Sequence, residues 1–269
     1  MSTTAFLLHL SGPMQSWGER SRFNERDTST APTRSGLIGL ISSALGRARD
    51  RPIGELAALG FTVRIDRPGR LLRDFHTVGG GMPRSLTVIT AEGKRRSSDK
   101  ATLISDRYYL ADAAFTVAVT APDAGLLDEC AAALRDPVWP PYLGRRSCPP
   151  TAPLLLTTIT GDPLEQLIKL PLARVKPNGE TESVRVEFRS DAPLEHPEWP
   201  HLPAADQIYT EIQDDPVSFL PHHRRYQTRP VYRRHEQLPA DQCGGYGTDY
   251  IDRLIEHLGP APSPGSAPS

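Results

Sequence analysis

The chain opens on a short continuous apolar run, Thr4 to Leu10 (TAFLLHL), which predicts a strand buried on both faces. About two dozen mostly polar residues follow. Apolar side chains then return at Leu37, Ile38, Leu40, Ile41 and Leu45, at the period of a helix reaching Arg47. Thr33 is its expected N-cap, with Pro32 just ahead. Gly36, Gly39, Ser43 and Gly46 leave one side of this helix without bulk. Such a stripe lowers helix propensity and requires something packed very close. FTVRIDRPG (61–69) alternates apolar with polar and closes on Pro-Gly, the pattern of a half-buried strand and turn. LLRDFHTVGGG (71–81) continues extended into three glycines. Residues 79–107 hold RSLTVIT and a basic tip, KRRSSDK, and predict a protruding hairpin.

AAFTVAVTAP (113–122) is the clearest buried strand. AGLLDECAAALRDP (124–137) places Leu126, Leu127, Cys130, Ala131 and Leu134 on one helical face, with Pro137 beyond its end. With TAPLLLTTIT (151–160) the order becomes βαββαβ, which predicts an α+β fold with a ferredoxin-like core, the topology of the RNA recognition motif, carrying an inserted hairpin. Residues 160 to 240 are Pro-rich and irregular, with SVRVEFRS and RPVYRRHE as the convincing strands. GTDYIDRLIEHLG predicts a short helix, and PAPSPGSAPS a disordered tail. The expected division is a ferredoxin-like unit over 1–160, a β-containing region over 161–245, and a helix and tail over 246–269.

Charge changes this picture. The net of −1 argues against a nucleic-acid protein, yet residues 1–110 hold 17 Lys and Arg against 10 Asp and Glu, and residues 111–269 hold 14 against 22. A basic face is therefore compatible with a neutral chain. Arginine supplies 27 of the 31 cations; its planar fork suits phosphate and stacks on bases, although a GC-rich genome raises arginine as well. Residues 191–215 carry seven acids and no Lys or Arg, which reads as a solvated loop. No apolar run approaches the roughly 18 residues of a membrane span, and MSTTAFLLHLSG lacks the basic start of a signal peptide, so a cytoplasmic protein is expected. Three scattered cysteines suggest reduced thiols, neither a disulfide framework nor a zinc site. No phosphate-loop or dinucleotide fingerprint is present.

LSGPMQSWG, PTRSGLIGLISSALG, RDFHTVGG, AAFTVAV and PYLGRRSCPP, in this order and at these spacings, resemble the CasD family of the RAMP superfamily. That family is the subunit of the type I-E CRISPR surveillance complex, Cascade, that holds the 5′ handle of the guide RNA (crRNA). The likeness covers residues 5 to about 155, is weak from residue 160 on and is absent from the tail past Gly244. It implies a ferredoxin-like core with a β-hairpin thumb, RNA binding without cleavage and no cofactor. It further implies contacts with the backbone subunit through the thumb and with the large subunit, and access to target DNA only through the complex.

The residues agree with that role in part. Thr33, Arg34, Ser35 and Gly36 at a helix N-terminus form a phosphate seat, or Thr33 and Ser35 simply cap the helix. Gln15, Trp17, Arg20, Arg22 and Arg26 in the preceding loop suit a splayed single strand, with Trp17 either stacking on a base or plugging the core. Arg84, Lys94, Arg95, Arg96, Lys100 and Arg107 make the thumb basic, which is also what a solvated loop looks like. Arg145 and Arg146 grip phosphate or pair with Asp128 or Asp136. His76 is a further RNA contact. Two other readings stay open: a metal-independent ribonuclease using His76, Tyr108 and Lys100 for proton transfer, with Tyr109 a further donor of the right type, and a structural adaptor that touches no RNA. Adjacent His222 and His223 lack carboxylates at ligand spacing, so no metal site is expected.

Overall fold

The apolar run at the start forms β1 (Ala5–Ser11), buried from Ala5 to Leu10 because it lies between two strands and under a layer on each face. The structure is a computed structural model and describes residues 2–19, 24–90, 92–151, 153–220 and 223–259. Two short strands, β2 (Met14–Gln15) and β3 (Glu25–Arg26), lead to α1 (Arg34–Ala44). Then come β4 (Gly60–Arg67), β5 (Arg70–Val78), β6 (Leu103–Ala111), β7 (Ala114–Thr120) and α2 (Ala124–Arg135). The chain continues through β8 (Leu155–Ile159), α3 (Pro163–Lys169), β9 (Ser183–Ser190), β10 (Ile208–Ser218), β11 (Arg225–Pro239) and α4 (Thr248–Leu258).

A mixed α+β architecture results. Seven strands form one antiparallel sheet in the order β10-β11-β9-β4-β7-β1-β8. The side chains of a strand alternate between faces, so β1 sends Phe6, Leu8 and Leu10 to one side. There they meet Leu37, Ile38 and Ile41 of α1 and Leu127, Cys130 and Leu134 of α2. Ala5 and Leu7 face the other side, against Leu167 of α3, Phe188 of β9, and Tyr250 and Leu254 of α4. Covering both faces explains why β1 and β7 read as unbroken apolar runs. It also leaves no free surface on these two strands.

The predicted hairpin is longer than its sequence signal. β5 and β6 pair from Arg70↔Ala111 to Val78↔Leu103, so LLRDFHTV is the outer strand of the arm, while β2 and β3 pair short stretches of β6 on its other side. The segment 79–102 is its tip, with two short 3-10 turns and an Ile89↔Arg95 bridge. The expectation of irregularity between 160 and 240 is corrected more strongly. β10 and β11 form a long antiparallel pair, and β9 joins them to β4, so this region extends the same sheet.

Candidate nucleic-acid interface

The first turn of α1, read as a phosphate seat, has the amides of Arg34 and Gly36 already bonded within the protein. Thr33 caps the helix, its Oγ1 accepting from the Gly36 amide at 3.3 Å. The Arg34 amide donates to Asp214 Oδ2 at 2.7 Å. The Arg34 side chain corrects the sequence reading. It is 8% exposed and its guanidinium points into the protein: Nε donates to Asp215 Oδ1 at 2.7 Å, Nη1 to Asp191 Oδ2 at 2.5 Å and Leu59 O at 2.6 Å, Nη2 to Ala57 O at 2.6 Å. Arg229 completes the cluster through Asp214 at 2.7 Å and Asp191 at 2.8 Å. Burial pushes the Asp191 carboxyl above its usual range in spite of Arg229 and Arg34 beside it. Three acids of the segment read as solvated thus bind β10 and the 191 turn to the start of α1.

Gln15 and Trp17 are scaffolding too. Trp17 is 1% exposed, and its Nε1 donates to Gln15 Oε1 at 3.0 Å. Gln15 Nε2 in turn donates to Leu10 O and Ala113 O, both at 2.9 Å. The indole lies on α1 where the helix has no side chain: a Cβ on Gly36 would stand 2.7 Å from Trp17 Cε3. That is the close packing the stripe required at its first position. Two motif blocks meet here. The Ser16 amide donates to Leu143 O at 3.1 Å, and Gly144, at φ +82°, comes so near that a Cβ would sit 1.7 Å from Ser16 O. Arg145 follows, stacked over the Tyr109 ring at 4.8 Å, its Nη2 donating to Arg26 O at 2.9 Å. It pins β3 in place and pairs with neither Asp128 nor Asp136.

Between α1, the 47–53 segment, the 139–149 loop and the end of β10 lies a cleft of about 1100 Å³. Its wall on α1 runs over Thr33, Ser35, Gly36, Gly39 and Ser43, so the bulk-free stripe is a smooth side of the cleft. Of the other residues singled out in the sequence, Trp17, Arg26, Arg145 and Arg146 also line it. Arg20 and Arg22 fall outside the described residues. The sequence reading missed Arg47, Arg49, Arg51, Trp139, Tyr142, Arg224 and Tyr226, which line it as well, as does Glu19. Two signals were available: the alternating GRARDRP after α1 and the aromatic, Pro-rich VWPPY. Arg47 is held by Glu55, whose hydrogen bond raises its pKa. Arg26, Arg49, Arg51, Arg146 and Arg224 have side chains with no acidic partner among the described residues.

The remaining candidates stand on the arm, apart from the cleft lining. Arg84, Lys94, Arg95, Arg96 and Lys100 cluster at its tip, with Arg95 Nη1 donating to Thr87 O at 2.7 Å; Arg107 and His76 lie on its strands. The register does not assemble the proposed proton-transfer set. His76 sits opposite Ser105 and Tyr108 opposite Arg73, three pairs away, so they lie on opposite faces of the ribbon, separated by roughly 10 Å along it. Lys100 is farther out, past the last pair. Among the described residues no group of three His, Cys, Asp or Glu side chains is placed to hold a metal ion. Burial pushes the Cys130 thiol up to about 12, which leaves it inert packing.

The family described as CRISPR-associated protein (Cas_Cas5) matches residues 5–232 of the chain. The chain belongs to the Cas5 family. The CRISPR system Cascade subunit CasD of Escherichia coli (strain K12) is 40% identical over 177 residues, covering 60% of this chain and 75% of that protein. A chain of a solved CRISPR RNA-guided surveillance complex superposes with a TM-score of 0.82 at 43% identity, over 94% of this chain and 99% of that one. The crystal structure of a Cas protein gives 0.58 at 29% identity, over 90% and 98%. The CasD resemblance seen in the motif blocks is thereby confirmed.

Proposed function

We propose that this Cas5-family chain is a non-catalytic RNA-binding subunit of a type I-E CRISPR surveillance complex, and that the cleft beside α1 holds the 5′ handle of crRNA. The observation that carries the reading is the cleft itself. Arginines without acidic partners among the described residues share it with the exposed ring of Trp139 and the half-buried rings of Tyr142 and Tyr226, the combination that grips the backbone of a single strand and stacks its bases. The likeness to CasD and to a chain of an RNA-guided complex supplies the RNA.

On this reading the four strands ordered β8-β1-β7-β4, with α1 and α2 on one face, are a ferredoxin-like core. Residues 1–160 are the RNA-binding unit, braced by the strands that follow. The β5–β6 arm is the thumb. Leu71, Phe75, Leu86 and Ile89 lie exposed along it, an apolar surface suited to burial against a neighbouring backbone subunit, with the basic tip near the RNA. The large subunit is a second neighbour, and target DNA is reached through the assembly. The ribonuclease reading gains nothing from the arm's register.

The test is reconstitution of the complex with Arg49, Arg51 and Arg146 changed to Glu together. Guide RNA occupancy is expected to fall and the RNA's 5′ end to become sensitive to exonuclease. With Gln instead, the slope of log affinity against log salt should flatten by roughly 0.7 per arginine removed. Unchanged occupancy and 5′ protection would refute the proposal.

A further inference from the structure

The three tryptophans of the chain sit in three different environments. Trp17 is buried in the core. Trp199 packs against Phe188 and His196, at 5.3 and 5.4 Å between ring centroids, with Arg234 over its face at 4.9 Å. Trp139 has no ring or cation partner among the described residues and is 43% exposed on the cleft lining. A large apolar ring is left in water here, although the same chain houses its other two.

Trp139 is nevertheless held in place. The Val138 amide donates to Ala44 O at 2.9 Å, which ties the loop to the last turn of α1. Gly46, in the left-handed region at φ +68°, gives Val138 its room: a Cβ there would stand 2.8 Å from Val138 Cγ1. The stripe's last glycine therefore seats this loop, as its first seats Trp17. Pro137, Pro140 and Pro141 restrict the backbone on either side. With its backbone fixed in this way, Trp139 has less freedom to lose when something stacks on its ring. Arg49, Arg51 and Arg146 line the same cleft. The occupant that satisfies a bare aromatic face and unpaired guanidinium groups together is an unstacked nucleotide, with its base on the ring and its phosphate on the arginines.

We infer that Trp139 is the stacking platform for one splayed base of the bound RNA, with Arg49, Arg51 and Arg146 holding the adjoining phosphates. This rests on the handle-binding reading of the cleft and goes beyond it by fixing where a base is displaced from its neighbours. The probe is a set of guide RNAs in which each repeat-derived nucleotide at the 5′ end is replaced in turn by 2-aminopurine, assembled into the complete complex. One position is expected to be quenched in the parent complex and to brighten in Trp139→Ala, whereas Trp139→Phe keeps most of the quenching. The affinity of Trp139→Ala complexes for guide RNA should fall about 5- to 150-fold, the range set by ~1–3 kcal/mol of stacking per base. No responsive position, together with RNA loss in Arg49→Glu/Arg51→Glu, would overturn the platform and leave handle binding standing. No response to either change would overturn both. Intact RNA signals with failed subunit assembly in Trp139→Ala would show instead that Trp139 meets a protein neighbour, and would also overturn the inference.

Discussion

Replacing Arg34 by Met separates a buried structural role from a ligand contact, because the two assign its loss to different measurements. In the folded protein the guanidinium serves two carboxylates, Asp191 and Asp215, and two carbonyls, those of Leu59 and Ala57. The cluster holds three acids against two arginines; without Arg34, Arg229 alone faces Asp191, Asp214 and Asp215. Removing one member of a buried ion pair is worth about 3–5 kcal/mol, since the partners stay buried with their charge uncompensated. Protonation of Asp191, whose carboxyl is already pushed up by burial, offsets part of that at low pH. Met fills much of the volume, so the cavity contribution is small. For a chain of this size, about 3–5 kcal/mol corresponds to a fall in Tm of roughly 6–20 °C. Thermal melts of Arg34→Met should show this fall. Arg34→Lys should recover only part of it, because an ammonium cannot reach four acceptors in a plane. Arg49→Glu/Arg51→Glu should melt within about 2 °C of the parent, as expected of exposed surface changes. A melt of Arg34→Met within 2 °C of the parent, accompanied by loss of guide RNA, would refute the structural assignment and restore Arg34 as a phosphate contact.

Gly144→Ala should yield little soluble protein, or a melt lowered by the equivalent of about 3 kcal/mol or more, since the new Cβ would lie 1.7 Å from the Ser16 carbonyl oxygen and the backbone is at φ +82°; a parent-like melt would contradict the docking of the 141–150 block on the 10–18 block. Burial lowers the His9 pKa to about 4, against Asp66, which raises it, and Arg64 and Arg67, which lower it, with Tyr250 stacked at 4.8 Å. Its folded pKa lies below the unfolded 6.5, so the unfolded chain binds the extra proton and stability falls with pH between 6.5 and about 4: from pH 7.5 to 5 urea melts should lose about 2 kcal/mol, a loss absent in His9→Gln. An equal pH dependence in both proteins would rule His9 out as its source.

What could be read from the sequence, and what could not, follows from the range over which each signal acts. β1, α1, β7 and α2 announce themselves because periodicity and caps are local, and Thr33 does cap the helix. β10 escaped because most of its residues are exposed and its buried positions, Ile212, Asp214 and Pro216, include a charge and a proline that no apolar pattern marks. The error at Arg34 and the error at the acidic segment are one error. A helix N-terminus followed by an arginine does describe a phosphate seat, and seven acids without a cation do describe a solvated loop, as long as each is read alone. Folding brings Asp214 and Asp215 to Arg34 across about 180 residues, and each then satisfies the charge the other had left unexplained. The bulk-free stripe was read correctly as a place of close approach at Gly36, under Trp17; Gly46 also lies close under Val138, but past the end of α1 at φ +68°, and at Gly39 a Cβ would meet nothing within 4 Å. That position is open where Gly36 is packed, and both lie on the wall of the cleft. Arg26, Arg49, Arg51, Arg146 and Arg224, which line the same cleft, have no acid assigned to them among the described residues, and on the proposed reading these are the arginines left to meet the RNA.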